Sequence, residues 1–404
     1  MDEIRVIYKK RRRLANKRLK ILVLKPITEA FFGGPFMLSG AINAFRRLDH
    51  EVEVIPLEKY AVDQKRLNQL IWEVANSSPD FVFTLNFIGL FPIMVETMEK
   101  MELPHVSWFV DSPLAYLKEK EFISSYTVVF VCDRMYIREL NEFGFKHVYY
   151  LPGATDPKIF HRIREDIKDF RCNISFVGSS HARSLQAYRQ MIGDGNAQRV
   201  LPQAIRLQIE NPTLSMSDIL EEIQKLLPPT VFLKDPEGEI RALLEQAAMA
   251  IYRKEIIEGV AEFGLHLYGD EGWRILLDEK VKIFNTLDYY TDLPKLYNAS
   301  KISLNITLCG LKTTVNQRVF DVSACASFIL TDYRKDLSGL FELGRDLICY
   351  RDSEELRALV RYYLKHPKER KEIAKRAQNL VLKEHTYVHR MDRLIRTLRE
   401  IYGT

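Results

Sequence analysis

The sequence lacks paired cysteines and long apolar runs. Its five cysteines are odd in number, and no two of them are spaced as C-x-x-C, which argues against a disulfide framework and against a zinc site. No apolar run approaches the roughly 20 residues that span a bilayer, and no apolar signal segment follows the basic N-terminus. We therefore expect a cytoplasmic protein whose cysteines are buried free thiols.

Two nucleotide-binding motifs are also missing. The chain contains neither G-x-G-x-x-G nor G-x-x-x-x-G-K-[ST], so a dinucleotide-dependent oxidoreductase and a P-loop NTPase both lose their main sequence support. His385 and His389 are spaced i, i+4, but the acid of an H-E-x-x-H arrangement does not accompany them. We interpret this pair as part of a packed or surface helical face rather than as a metal site.

Basic residues are concentrated at the N-terminus. The net charge is +5, yet the first 20 residues alone carry +7, which leaves −2 for the other 384. A basic arm of this kind can be attracted to an anionic membrane surface, to nucleic acid or to an acidic partner. We expect no nucleic acid; peripheral contact of residues 5–20 with the inner face of a membrane and a merely solvated tail both stay open.

The first half of the chain alternates short buried strands with helices. With 404 residues the chain exceeds the usual limit of one core, so two domains are expected. The alternation indicates a parallel sheet covered on both faces, in which ligands bind at the carboxyl ends of the strands. Asp111 directly follows the apolar run Val106–Val110. It is a candidate general base, or alternatively the cap of the next helix.

The second half begins with another strand that enters a loop of small residues. Asn173–Val177 is followed by Gly178–Ser180, where backbone could approach a phosphate. The next clear strand, Leu265–Tyr268, starts 87 residues after Gly178, whereas a crossover needs only about a dozen residues. We predict a helical insertion within residues 181–262 that serves acceptor recognition, oligomer contacts or simple packing.

The most informative stretch predicts a helix over residues 313–326 between two strands. An apolar stripe would face the sheet, and four polar side chains would line the opposite face. These four residues are Thr314, Gln317, Arg318 and Asp321. A helix N-terminus suits a diphosphate, Arg318 can donate to phosphate oxygens, and Asp321 can accept from ribose hydroxyls. The alternative is an ordinary helix with a solvated polar face.

Seven short segments together resemble a known family. They are Trp108–Pro113, Leu151–Asp156, Ser175–Gly178 with Arg183, Leu267–Gly269, Asp292–Ser300, Arg318–Asp321 and His385–Tyr387. In these segments the chain resembles glycosyltransferases of the GT-B fold, most closely the CgeB-like, spore-maturation-protein-like group. The resemblance implies an α/β protein with two Rossmann-like domains whose parallel sheets face each other across a cleft.

The resemblance also implies which domain binds each substrate. After the basic arm, residues 1–18, an acceptor domain would cover residues 19–152 and a nucleotide-sugar donor domain residues 153–384. The last helix, within residues 385–404, would return to the first domain. Acceptor contacts would include Gly33 and Gly34.

The residues that the resemblance and the sequence patterns assign to the donor form one set. It comprises Gly178, Ser179, Arg183, Tyr268, Phe284, Asn285, Tyr289, Thr313, Thr314, Gln317, Arg318 and Asp321. Asp321 matches the family's ribose-binding acid, and Phe284 to Tyr289 would lie beside the base. Thr313 stands where many retaining members carry a second acid, which leaves the stereochemistry and the sugar open.

The resemblance implies a metal-independent glycosyltransferase without a cofactor. The donor would be a nucleotide-diphosphate sugar, with a UDP-sugar favoured, and the acceptor a protein or a surface glycan. Helix N-termini, Arg318 and Arg183 would stabilise the leaving diphosphate, and Asp111 would deprotonate the acceptor if the reaction inverts. A non-catalytic glycan- or nucleotide-binding scaffold and a nucleotide-sugar epimerase are the alternatives, because one fold can host several functions.

Overall fold

The structure is a computed structural model in which the chain divides into two units. Unit 1 comprises residues 1–154 and 385–404, and unit 2 comprises residues 155–384. The structure describes residues 14, 18–26, 34–57, 64–113, 120–165, 167–192, 196–226 and 239–403. Most of the basic arm therefore lies outside the described residues, as does Gly33.

Unit 1 contains a sheet of six parallel strands in the order β2-β1-β3-β4-β5-β6. The strands are β1 (Lys20–Lys25), β2 (Glu51–Pro56), β3 (Phe81–Leu85), β4 (His105–Phe109), β5 (Thr127–Val131) and β6 (His147–Tyr150). The three central strands β3, β4 and β5 are buried at every position. Such unbroken burial is the signature of a parallel sheet with helices on both faces.

Helices cover both faces of this sheet. They are α1 (Gly34–Arg47), α2 (Gln64–Ser77), α3 (Pro92–Lys100), α4 (Met135–Phe143) and α14 (Tyr387–Tyr402). Within β1, Leu22 and Leu24 join the core beneath α2, α3 and α4, whereas Ile21 and Val23 join the core beneath α1 and α14. The two-residue period of a strand explains this division. At Gly40 of α1, an added Cβ would lie 2.6 Å from the Tyr387 ring of α14, so these helices approach closely.

Unit 2 contains the second sheet, also of six parallel strands, in the order β12-β11-β10-β7-β8-β9. The strands are β7 (Cys172–Val177), β8 (Leu265–Tyr268), β9 (Lys282–Phe284), β10 (Ser300–Asn305), β11 (Ile329–Asp332) and β12 (Ile348–Tyr350). β7 and β10 are neighbours at the centre, and the strand order reverses between them. Open α/β sheets bind ligands outside the carboxyl ends of the strands at such a reversal.

The predicted helical insertion is confirmed: the described residues between β7 and β8 form four helices. They are α5 (Ala182–Ile192), α6 (Asn196–Glu210), α7 (Met216–Leu226) and α8 (Glu239–Val260). One side of α8 joins the sheet's core through Met249, Ile256 and Ile257. Leu244 and Ala248 of α8 instead join a separate core shared with the other three helices. α8 therefore ties the insertion to the sheet through apolar contacts on two sides.

The remaining helices of unit 2 are α9 (Trp273–Leu276), α10 (Leu293–Ala299), α11 (Arg318–Ala324), α12 (Ser353–Lys365) and α13 (Pro367–Glu384). The prediction of a helix over residues 313–326 is wrong at its start, because α11 begins at Arg318. Thr313 is held by Asp336 instead: its carbonyl accepts from the Asp336 amide at 2.7 Å. Its hydroxyl donates to Asp336 Oδ2 at 3.1 Å. Thr314 therefore precedes the helix and does not share a helical face with Asp321.

Among the residues that the structure describes, no helix combines the length and the apolar content that crossing a membrane requires.

Candidate functional site

The loop Gly178–Ser180 follows β7 at the carboxyl edge of the unit 2 sheet. Both backbone polar groups of its first residue are hydrogen-bonded: the Gly178 amide donates to the Tyr268 carbonyl at 3.0 Å, and Trp273 Nε1 donates to the Gly178 carbonyl at 2.8 Å. Asp270 accepts from the Ser180 amide at 2.7 Å. A Cβ on Gly178 would lie 3.0 Å from the Phe176 ring. The close approach of this ring explains why position 178 has a residue without a side chain.

Arg253 of α8 reaches this loop, and the sequence analysis missed it. Its side chain is only 2% exposed. The NH1 group donates to the Ser179 carbonyl at 2.5 Å, and Nε is buried without a hydrogen-bond partner. Arg253 shares the buried helical face of Met249, Ile256 and Ile257, at spacings of three and four residues. A basic residue on an apolar face is the signal that could have identified it.

Arg318, at the first position of α11, lies beside Arg253. The guanidinium carbons of Arg253 and Arg318 lie 5.6 and 5.7 Å from the centre of the same Phe176 ring. Arg318 NH1 also donates to Asn305 Oδ1 at 2.6 Å, at the end of β10. Burial, and next the charge of Arg318, lower the pKa of Arg253. In the described part of the chain no carboxylate pairs with either arginine within 4.0 Å, so the pair presents an uncompensated positive charge.

Asp321 follows Arg318 by one helical turn and is only 1% exposed. The Tyr289 hydroxyl donates to Asp321 Oδ2 at 3.2 Å, and Gln317 Nε2 donates to that hydroxyl at 3.3 Å. Burial raises the pKa of Asp321 to about 8, although the nearby Thr155 and Tyr289 hydroxyls and Arg318 oppose this rise. Asp321 Oδ1 has no hydrogen-bond partner. This atom is free to accept a hydrogen bond from a ligand hydroxyl.

The predicted donor residues divide into those that the structure brings together and those that it does not. Gly178 and Ser179 adjoin Arg253, Arg318 lies near the Phe176 ring, and Tyr289 and Gln317 adjoin Asp321. The Thr314 hydroxyl is buried without a partner. In contrast, Thr313 is engaged with Asp336, and Arg183 is exposed near the start of α5.

The residues predicted to lie beside the base occupy the β8–β9 edge of the sheet. Tyr268 and Phe284 stack with their ring centres 4.8 Å apart and their planes 19° apart. The Phe284 ring is 38% exposed, and Asn285 is exposed. Burial, and next the Cys172 thiol, raise the pKa of Tyr268 to about 12, so its hydroxyl stays protonated.

Unit 1 contributes a separate carboxylate at the end of β4. Asn86 Nδ2 donates to Asp111 Oδ2 at 2.9 Å, and Asn86 Oδ1 accepts from the Val110 amide at 2.9 Å. Asn86 has a φ of 50°, a left-handed conformation that asparagine tolerates better than most residues. Burial raises the pKa of Asp111 to about 6, and the hydrogen bond from Asn86 opposes that rise. A carboxylate with this pKa can accept a proton near neutral pH.

The structure gives little information on the two predicted acceptor residues, Gly33 and Gly34. Gly33 lies outside the described residues, and Gly34 is the first residue of α1. Within the described ranges, the structure contains no group of three or more histidine, cysteine, aspartate and glutamate side chains placed to hold a metal ion.

A family model described as glycosyl transferase-like matches residues 241–396. This segment includes Arg253, Arg318 and Asp321 together with the strands from β8 to β12. A search of curated proteins gives no match.

Solved structures resemble the chain over almost its whole length. Anabaena Alr3699/HepE, solved in complex with UDP and glucose, is 13% identical, with 95% of this chain and 100% of that chain covered and a TM-score of 0.52. Sucrose-phosphate synthase from Thermosynechococcus elongatus is 10% identical, with coverage of 95% and 99% and a TM-score of 0.57. A glycosyltransferase from Rickettsia africae is 10% identical, with coverage of 96% and 99% and a TM-score of 0.55.

These identities are low, so the structural likeness establishes the fold alone. Two sheets of six parallel strands, each with helices, match the architecture of these neighbours. The chain therefore has the GT-B fold of glycosyltransferases, and its residues 241–396 match a glycosyl transferase-like family.

Proposed function

We propose that the protein is a metal-independent glycosyltransferase that uses a nucleotide-diphosphate sugar, with UDP-sugar as the donor. The observation that carries this proposal is the pair of guanidinium groups of Arg253 and Arg318. Both lie near the Phe176 ring, and Arg253 also donates a hydrogen bond to the loop at Ser179. Arg253 is buried and Arg318 half-buried, and two neighbouring positive charges without a carboxylate partner are unfavourable until an anion binds between them. A diphosphate is an anion with suitable charge and geometry.

The leaving group would be stabilised by the same two arginines. As the bond between the sugar and the diphosphate breaks, negative charge develops on the phosphate oxygens. Arg253 is held by the Ser179 carbonyl and Arg318 by Asn305, so both donors are already oriented before the reaction begins. Preorganised donors at the place where charge develops lower the barrier without needing a metal ion.

The nucleoside would lie along α11 and the β8–β9 edge. Asp321 Oδ1, which has no partner, would accept from a ribose hydroxyl, with Tyr289 and Gln317 supporting the other oxygen. The exposed Phe284 ring, stacked on Tyr268, offers an aromatic surface for the base. UDP is the nucleotide in the solved complexes of Anabaena Alr3699/HepE, which supports a uridine donor here.

The acceptor would be a hydroxyl of a protein or a surface glycan. Asp111 would take its proton, because burial raises the pKa of this carboxyl to about 6 and Asn86 orients one of its oxygens. The basic N-terminal arm, residues 5–20, could bring the protein to an anionic membrane surface where such acceptors are found.

We expect UDP to stabilise unit 2 more than GDP, CDP, ADP or dTDP does. Saturation at about 100 times the dissociation constant adds roughly 2.7 kcal/mol to the unfolding free energy. Thermal unfolding of the parent protein with each nucleotide, with and without a metal chelator, measures this effect. If no nucleotide raises the unfolding temperature, the donor-site proposal is wrong; if the chelator removes the shift, metal independence is wrong.

We expect Arg253→Met to weaken UDP binding by about 10- to 100-fold while leaving uridine binding unchanged. The substitution keeps an extended side chain but removes a charge-assisted hydrogen bond, which contributes about 1.5–3 kcal/mol. Isothermal titration with UDP and with uridine measures both affinities. Lys254→Met is the matched control, since Lys254 is the next residue and pairs with Glu258 on the exposed side of α8. Equal losses for the two variants would exclude a direct role for Arg253.

A non-catalytic nucleotide-binding scaffold is the second candidate. The observation that favours it is Thr313, whose hydroxyl is bonded to Asp336 at the position where many retaining relatives carry a second acid. Slow release of UDP from a UDP-sugar in water separates the two functions. Detectable release supports an enzyme, whereas tight UDP binding with no release from any UDP-sugar supports the scaffold.

A further inference from the structure

Unit 2 contains a second basic cavity at the edge of the sheet opposite the candidate donor site. Strands β7 and β10 are parallel, and their first residues, Cys172 and Ser300, pair with each other. Arg171 and Ala299 immediately precede these residues and line a cavity of about 470 Å³. The donor residues follow the opposite, carboxyl ends of the same strands. The cavity has the size of an ordinary small-molecule site and is distinct from the donor site.

Three arginines dominate the wall of this cavity. Arg162, Arg164 and Arg171 line it, and Glu165 is the one carboxylate among the lining residues that the structure describes. Arg162 and Arg164 form no ion pair with any carboxylate in the described part of the chain. Two of the three guanidinium groups are thus available to a ligand, and the described lining residues carry a formal net charge of +2 at neutral pH.

Asn298 fixes the segment that carries Arg162. Asn298 Oδ1 accepts from the Ile163 amide at 2.9 Å. Its Nδ2 group donates to the His161 carbonyl at 3.0 Å and to the Pro294 carbonyl of α10 at 2.8 Å. The backbone on both sides of Arg162 is therefore tied to one side chain at the end of α10. Because this wall is formed in the absence of a ligand, less ordering entropy is lost when one binds.

We propose that this cavity binds a ligand that carries two or more phosphate groups. Arginine presents a planar fork of donors that matches phosphate oxygens two at a time. Several such forks around one cavity favour several phosphate groups over a single carboxylate. The ligand is either a soluble oligophosphate or the polyphosphorylated headgroup of a lipid, since both present the same chemistry.

The test uses inorganic tripolyphosphate as the probe and the full-length protein. With the proposed donor site filled by UDP, we expect isothermal titration at physiological salt to show one remaining site for tripolyphosphate. The double variant Arg162→Ala/Arg164→Ala should weaken this binding by about tenfold or more. Both side chains are exposed, so the variant should keep the parent's unfolding temperature.

The double variant Arg189→Ala/Arg206→Ala is the matched control, because it removes the same charge from exposed positions on α5 and α6. If this control weakens tripolyphosphate binding equally, the proposal is wrong. Vesicles with and without a phosphorylated inositol lipid distinguish the two sources. If the protein binds the vesicles with the phosphorylated lipid, and the double variant Arg162→Ala/Arg164→Ala does not, the ligand is a lipid headgroup. If the protein binds tripolyphosphate but neither kind of vesicle, the ligand is soluble.

This test is separate from the test of the donor site. If UDP does not bind at all, the proposed function fails, yet tripolyphosphate titrated into Arg253→Met still reports on the second cavity. Loss of tripolyphosphate binding in Arg253→Met would show that the anion occupies the donor site, and would overturn the proposal.

Discussion

Asp321→Asn should be more stable than the parent protein at pH 8 and yet lose UDP binding. Burial raises the pKa of Asp321 to about 8, compared with 3.8 for a free side chain. The folded protein therefore holds a proton on this carboxyl over a pH range in which the unfolded chain releases it. Asparagine keeps the shape of the side chain and removes this proton release, but it has one acceptor oxygen in place of two, so it cannot accept from both Tyr289 and the ribose.

The sign of the pH dependence follows from the raised pKa. The contribution of Asp321 to the parent's unfolding free energy is fully present below pH 3.8 and falls as the pH rises towards 8. It falls because, between these two pH values, unfolding releases the proton from this carboxyl. One pKa unit corresponds to about 1.4 kcal/mol, so the stability advantage of the variant should grow by on the order of 4 kcal/mol between pH 5 and pH 8. For a unit of this size the unfolding temperature should shift by roughly 10 °C.

Calorimetric unfolding of the parent and Asp321→Asn at several pH values measures the predicted difference. Asp278→Asn provides the control, because Asp278 is an exposed carboxylate of the same unit. The difference in unfolding free energy between this variant and the parent should not grow with pH. A constant difference between parent and Asp321→Asn at every pH would mean that the folded protein keeps Asp321 ionised. Unchanged UDP affinity in the variant would remove Asp321 from the donor site.

The fold could be predicted because its signal is local. In β1, Leu22 and Ile21 point to opposite faces, and both faces are covered by helices. Such a strand must be apolar at every position, and the sequence records this directly. The helical insertion was visible for a similar reason: 87 residues separate Gly178 from Leu265, far more than one crossover needs.

The start of α11 could not be predicted, because distant residues determine it. Val315 and Val319 have helical spacing, so the local pattern favours a helix that begins near Thr313. The structure instead places two hydrogen bonds between Thr313 and Asp336, which is 23 residues away. A backbone carbonyl that accepts from Asp336 in this way belongs to a loop, and no local pattern reveals the contact.

Arg253 shows the same limit in the donor site. Ser179 and Arg318 were found because each lies at the end of a predicted strand or on a predicted helical face. Arg253 lies 74 residues from Ser179, on a helix of the insertion, and only the folded structure brings the two together. We therefore propose for the insertion a role other than the acceptor, oligomer and packing roles expected for it, since one of its helices places a cation beside Ser179 in the proposed donor site.

Asp111→Asn should lower the turnover number by about 10²- to 10⁴-fold with little change in UDP affinity, if Asp111 is the general base. Asp111 belongs to unit 1, whereas the proposed donor contacts belong to unit 2. Removing the base therefore slows proton removal from the acceptor without removing a donor contact. Steady-state kinetics with an identified acceptor, together with UDP titration, measure both quantities. Retained turnover would exclude Asp111 as the base.

The pH profile separates a catalytic role for Asp111 from a structural one. Because only the ionised carboxyl can accept a proton, the parent's kcat/KM should rise with pH and level off above about pH 6. Asn86→Gly removes the donor to Asp111 Oδ2 and keeps a residue that tolerates the φ of 50° at this position. Since that hydrogen bond favours the ionised form, its loss should move the midpoint of the profile to higher pH. A midpoint that stays in place while the rate falls would mean that Asn86 supports the fold and not the proton transfer.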